Sequence, residues 1–157
     1  MKKKLTYVFI SVVICLIIGF LSSIATQTSV DDWYLTLNKP SFNPPNEIFA
    51  PVWTALYVMM GIAAGWIWGK GFHHKWVKTA LYHFGFQLLL NSLWSIVFFG
   101  LQQPFWGFLV IISLLIALIA TIRWFKVVSK VAALLMVPYL LWVCFAAFLN
   151  YKIWVLN

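Results

Sequence analysis

Five stretches of this chain are long and apolar enough to cross a bilayer, and they restrict its fold more than any motif does. They run from Leu5 to Ala25, Glu47 to Gly69, Thr79 to Leu101, Phe105 to Phe125 and Val131 to Ile153. A crossing helix needs about 20 residues. Backbone polar groups in hydrocarbon must be paired within their own segment, so each run is predicted to be an α-helix. A membrane barrel would alternate apolar and polar residues, whereas these runs are continuous. With 64% hydrophobic and 9% charged residues, no segment is left for a separate soluble domain. The expectation is one all-α membrane domain over residues 1–157, a five-helix bundle with a lid loop at 26–46 between the first two spans.

A net charge of +8 invites a nucleic-acid reading, and the placement of the basic residues removes it. Lys2, Lys3 and Lys4 precede the first span; Lys70, Lys75 and Lys78 separate the second from the third; Arg123, Lys126 and Lys130 join the fourth to the fifth. With five crossings these groups share one side, and only Lys39 and Lys152 fall on the other. The positive-inside tendency then puts the N-terminus in the cytoplasm and the C-terminus outside. The start, "MKKKLTYVFISVVICLIIGFLSSIA", also has the layout of a secretory signal. Its apolar middle is long for that role, so retention as the first span is expected.

Ionisable residues inside a membrane mark proton and ion pathways, and the spans contain almost none. Asp31, Asp32 and Glu47 are the only acids and cluster around the first external loop, while His73 and His74 sit in a cytoplasmic loop with His83 about one turn inside the third span. A proton-coupled pump or charge-selective channel is disfavoured. No nucleophile has a base beside it, and no ligand spacing calls for a metal. Cys15 and Cys144 lie in mid-span and read as small apolar packing residues with free thiols.

The distinctive content is 10 tryptophans. Trp66, Trp68, Trp76, Trp124 and Trp154 lie near span ends, where amphipathic rings anchor at the interface. Trp53, Trp94 and Trp142 lie deeper. At 1.5 Å per residue, Trp142 is near the midplane, Trp94 slightly outward and Trp53 roughly 7 Å outward. Helical spacing groups their neighbours: Asn91, Trp94, Ser95 and Phe98 on one face; Phe49, Trp53, Tyr57 and Met60 on another; Tyr139, Trp142, Val143, Ala146 and Asn150 on a third. Asn91 needs a partner and should point into the bundle. Aromatic rings with a few polar handles, at matched depth on three spans, describe an apolar small-molecule cavity.

On the same side lies "WYLTLNKPSFNPPNEIFAPVW". Pro40, Pro44 and Pro45 stiffen it. A loop of about 20 residues without an element of its own tends to be a functional lid. Trp33, Tyr34 and Phe42 suit a cover packed on a cavity mouth, and Asn46 is placed to cap the second span, with Pro51 in its first turn. Pro138 should kink the fifth span. Gly61, Gly65 and Gly69 form a small-residue row that serves either dimerisation or packing within the chain.

"WYLTLNKPSFNPPNEIFAPVWTALY", "QLLLNSLWSIVFF" and "PYLLWVCFAAFLNYKIW" resemble, in order, the signature regions of the TspO/MBR family. These are the tryptophan-rich sensory or translocator proteins, also known as peripheral benzodiazepine receptors. The resemblance implies a homodimeric five-helix bundle in a bacterial cell membrane that binds protoporphyrin or other tetrapyrroles and benzodiazepine- or isoquinoline-type ligands. It further implies light-dependent protoporphyrin breakdown in which an indole, Trp53 or Trp142, supplies an electron or hydrogen. Protoporphyrin would enter as ligand or substrate, without a metal or other cofactor. By position, Tyr34, Pro44, Trp53, Asn91, Trp94, Trp106, Trp142, Ala146, Leu149 and Asn150 match the family's ligand-contacting positions. Phe49, Tyr57, Ser95 and Phe98 join them from the helical stripes above. In "LNYKIWVLN", Lys152 directly follows Tyr151, a departure from the sterol pattern of animal members that argues against tight sterol binding. The alternatives are a tetrapyrrole transporter, for which no driving coupling or internal repeat is visible, and a ligand-responsive regulatory partner. Lys39 is the lid's only basic residue and the only one there to meet a porphyrin carboxylate.

Overall fold

The computed structural model describes the backbone of residues 2–157 and their side chains apart from those of Lys2 and Thr28. All regular structure among the described residues is helical: α1 (Lys2–Val30), α2 (Trp33–Thr36), α3 (Asn46–Trp68), α4 (Lys75–Ser95) prolonged by a π-helical turn (Ile96–Gly100), α5 (Pro104–Val128), α6 (Lys130–Leu135) and α7 (Val137–Leu156). Five helical stretches are long and apolar enough to cross a membrane, with α4 and its π turn counting as one and α6 with α7 as another. The connection carrying α2 defines the lid end of the bundle. The connections at Gly69–His74 and at Ser129, flanked by Lys70, Lys75, Lys126 and Lys130, define the basic end.

α1 keeps different company at its two ends. Near the basic end it lies on α3, where a Cβ added at Gly61 would land on the Val12 backbone and one at Gly65 on the Val8 backbone. The glycine row therefore works inside the chain, bringing two backbones into contact. Towards the lid end α1 leaves α3 and is fastened to α4. Ser22 Oγ donates to Ser92 Oγ (2.9 Å), Ser95 Oγ to the Ser22 carbonyl (2.9 Å) and Ser29 Oγ to the Phe99 carbonyl (2.7 Å), while Thr26 Oγ1 and Ser95 Oγ lie 2.8 Å apart. This seam corrects the expected lid boundary. The segment assigned from sequence to a loop beginning at residue 26 is helical as far as Val30, because the hydroxyls of Thr26 and Ser29 have partners on another helix. The loop also contains a helical turn, α2.

Other ends differ from expectation for local reasons. α4 starts a turn early, at Lys75. α3 has Pro45, not Asn46, at its N-cap position, and no side-chain cap bond is made there. Pro51 falls in the second turn of α3, past the position where its missing N–H costs nothing. Pro138 acts as expected: the fifth span breaks at Met136 and restarts with proline in the first turn of α7. The π turn of α4, with Leu101 N donating to the Ile96 carbonyl at 2.8 Å, bulges the helix at its lid end. Phe98 and its neighbour Phe99 both reach the interior there.

Candidate functional site

A cavity of about 530 Å³ lies in the lid half of the bundle, within the usual range for small-molecule sites. Trp53 of α3 is its hub. The Trp53 ring lies 6.0 Å from Trp94 of α4, 6.0 Å from Tyr57, 6.3 Å from Tyr139 and 6.5 Å from Trp142 of α7, the last at 88°. Phe49 meets the edge of Trp142 at 6.2 Å, and Phe98 stacks on Trp94 at 5.8 Å. Rings at these separations hold one another at fixed tilts. The wall is a braced aromatic frame.

Two polar chains hold that frame. On one side of it, Tyr57 Oη donates to Asn91 Oδ1 (2.9 Å), Asn91 Nδ2 to Tyr139 Oη (2.6 Å) and Tyr139 Oη to Gln87 Oε1 (3.0 Å). Asn91 and Gln87 are fully enclosed, so each member satisfies the next where water cannot reach. Sequence reasoning missed Gln87. The signal was its position one turn before Asn91 in an otherwise apolar run. Nearer the lid, Trp94 Nε1 donates to Asn150 Oδ1 (3.0 Å) and Asn150 Nδ2 to the Pro104 carbonyl (2.7 Å), which ties α4, α7 and the start of α5 together. One donor stands apart: the buried Nε1 of Trp142 has no hydrogen-bond partner among the described residues.

The lid is shut over this frame. Tyr34 is buried against Phe99 (5.7 Å) and Phe98 (6.4 Å), and Trp33 meets Phe98 at 5.8 Å. Tyr34 Oη donates to Asn43 Oδ1 (2.7 Å), and Lys39 Nζ donates to the Tyr34 carbonyl (2.7 Å) while covering its ring. Burial pushes the Tyr34 phenol up to about 12, outweighing the Asn43 hydrogen bond. It stays a neutral donor through any physiological pH. Asn38 and Asn157 clasp each other, Asn38 N to Asn157 Oδ1 (2.9 Å) and Asn157 Nδ2 to the Asn38 carbonyl (3.0 Å). Lys39 is thus part of the lid's own frame, and no lysine or arginine lines the cavity among the described residues. Asp31 is the one charged residue on its wall among the described residues.

Tyr34, Phe49, Trp53, Tyr57, Asn91, Trp94, Ser95, Phe98, Trp142, Ala146, Leu149 and Asn150 all line the cavity. Pro44 and Trp106 do not. Pro44 braces the lid by accepting from Asn43 Nδ2 (3.0 Å). Trp106 sits in the first turn of α5 facing outward, 57% exposed, against Phe105 at 5.3 Å, so its helix face turns it away from the cavity. Phe42 also lies elsewhere, stacked on Phe148 at the outer surface of α7 (5.3 Å, 14°). Met60 is packed in the core beside Gln87. Phe99, Phe145, Thr26 and Gln27 line the cavity and were not singled out in the sequence. Cys15 and Cys144 are free, the first buried and the second exposed. No cluster able to hold a metal ion occurs among the described residues.

A family model described as TspO/MBR matches residues 11–155. The chain belongs to the TspO/MBR family. It is similar to the tryptophan-rich protein TspO of Chlorobaculum tepidum, 43% identical over 157 residues, covering 100% of this chain and 99% of that one. It is also similar to the tryptophan-rich protein TspO of Archaeoglobus fulgidus, 47% identical over 148 residues and 94% of each. The translocator protein of Sus scrofa is 39% identical over 139 residues, covering 87% of this chain and 81% of that one. As a TspO/MBR protein with five apolar helices, the chain is an integral membrane protein. The matched region takes in the aromatic frame and both polar chains.

Proposed function

We propose that this TspO/MBR protein binds flat, largely apolar small molecules of the tetrapyrrole class, protoporphyrin foremost, between the faces of Trp53, Trp94 and Trp142. The observation that carries this reading is the braced cavity itself, apolar on most of its wall and hydrogen-bonded behind it. Ring contacts add about 0.5–1.5 kcal/mol each beyond area burial. The unpaired Nε1 of Trp142 adds a polar handle. A buried unpaired donor costs about 1–3 kcal/mol, and a small turn of the ring toward an acceptor on the ligand recovers that cost. With no basic residue on the wall among the described residues, the carboxylates of a porphyrin stay at the cavity's edge while the macrocycle is enclosed. Benzodiazepine- and isoquinoline-type compounds fit the same apolar frame and compete for it.

In this reading, light absorbed by the bound pigment starts its breakdown, with dissolved dioxygen as the oxidant of the ring opening that follows. One electron passes from the indole of Trp53 or Trp142 to the excited porphyrin, which is reduced as the indole is oxidised. Neither a metal nor an acid–base pair is needed for that step. The basic end faces the cytoplasm of a bacterial cell and the lid faces outward, as the distribution of lysine and arginine favours.

Titration of the detergent-solubilised protein with protoporphyrin, in the dark and then under light, tests both parts. Saturable quenching of tryptophan fluorescence at one pigment per chain is expected, with pigment loss only under illumination. Trp142→Phe should slow the loss by an order of magnitude and weaken binding severalfold. Non-saturable quenching would refute the binding site. Equal photolysis rates in Trp142→Phe and Trp53→Phe variants and in the unaltered protein would refute the role of the indoles.

A further inference from the structure

We propose that the cavity is loaded sideways from the bilayer, through a gap between α1 and α3, while the lid stays shut. The proposal takes up the binding reading and adds the route. α1 presents Leu16, Gly19, Phe20, Ser23, Gln27 and Val30 to the cavity as one helical stripe, and α3 presents Phe49, Ala50, Trp53, Thr54 and Tyr57 as another. In a closed seam between two helices the facing residues are buried. Here Phe20 is 67% exposed and Gln27, Ala50 and Thr54 are exposed as well, although all four line the cavity. The seam is closed only on the basic side of Gly19, whose position leaves no room for a Cβ beside the Tyr57 ring. Beyond Gly19 the hydroxyl bonds to α4 carry α1 away from α3.

Phe20, Ser23, Ala50 and Thr54 all lie inside the apolar spans, so the gap opens on acyl chains. Its hydroxyls are already spent, Ser23 Oγ on the Phe20 carbonyl (2.7 Å) and Thr54 Oγ1 on the Ala50 carbonyl (2.8 Å). A planar apolar solute dissolved in the membrane passes such a rim without stripping a polar group of its partner. The alternative route, through the lid, has to break the Asn38–Asn157 clasp and lift Tyr34 from the π turn.

The test is thiol alkylation in proteoliposomes, which needs no bound ligand. A thiol is introduced by Ala146→Cys in a Cys15→Ser, Cys144→Ala background, with and without a lid cross-link made by Asn38→Cys and Asn157→Cys. An uncharged, lipid-soluble maleimide should label the cavity thiol equally fast with the lid free or cross-linked, and at least tenfold more slowly when Ser23→Trp or Ala50→Trp fills the rim. A charged, membrane-impermeant maleimide should label it slowly in every case. Labelling that stops when the lid is cross-linked, or that ignores both rim variants, would overturn the proposal. A second measurement uses protoporphyrin delivered from the same vesicles. The rim variants should slow both its association and its dissociation several-fold, and unchanged rates in both variants would overturn the route. If the unaltered protein does not bind protoporphyrin at all, the ligand assignment fails while the alkylation result still judges the route.

Discussion

The half of α1 near the basic end touches α3 through bare backbone, Val8 on Gly65 and Val12 on Gly61, whereas the half near the lid is held to α4 by a ladder of serine and threonine hydroxyls. Both seams join helices in a medium where burying apolar surface gains little, so each relies on what the membrane does not supply. The glycine seam uses dispersion at the closest possible approach and leaves no space between its partners. The hydroxyl seam uses a few directional bonds, tolerates space around them, and turns the helix. Because α1 changes partner midway, each seam has an open groove beside it. The cavity opens between α1 and α3 above Gly19, and a second groove of about 630 Å³, lined by Ser11, Cys15, Phe84, Gly85 and Ser92 among others, opens between α1 and α4 below Ser22.

The contrast predicts unequal sensitivity to mutation. Gly61→Leu is the harshest test, since the new side chain meets the Val12 backbone, which cannot rotate aside. Overpacking costs about 1–3 kcal/mol where neighbours can adjust, and here the loss should reach or pass the upper end. Thermal unfolding in detergent should show a drop of many degrees, and a near-normal midpoint would mean that the two backbones can part without harm. Ser95→Ala should be milder. It removes the donor to the Ser22 carbonyl and the partner of Thr26, and interhelical hydrogen bonds in membranes contribute about 0.6 kcal/mol on average. A loss of about 1 kcal/mol is expected, accompanied by altered entry of ligand through the neighbouring gap. A cost equal to that of Gly61→Leu would erase the distinction between the seams.

The two seams were unequally legible in the sequence. Glycines four apart in an apolar run announce a close approach, although not its partner, and the structure assigns that partner to α1. The hydroxyl seam was invisible, because Thr26, Gln27 and Ser29 look like the start of a loop to any measure of hydropathy. Only the facing Ser95 and the Phe99 carbonyl reveal why they stay helical. The aromatic stripes on the second, third and fifth spans were readable because burial and the 3.6-residue period act within one helix. Trp106 defeated that logic. Only likeness to a family position points to it, and no neighbouring stripe fixes which face of α5 it occupies. Gln87 was overlooked for the opposite reason, as its partner Tyr139 lies 52 residues away.

The smallest expected effect discriminates best, because it is confined to one end of one helix. Ser29 Oγ makes the last hydroxyl bond of the ladder, to the Phe99 carbonyl on the π turn. Ser29→Ala removes it at a cost of about 0.6 kcal/mol, too little to unfold the bundle. If the final turn of α1 is helical only because that ladder holds it, amide exchange at residues 26–30 should quicken several-fold while Val8 and Val12 remain unchanged, since their protection comes from the glycine seam. Faster exchange at both ends would mean that α1 moves as one rigid rod, and the change of partner at its middle would then not divide it mechanically.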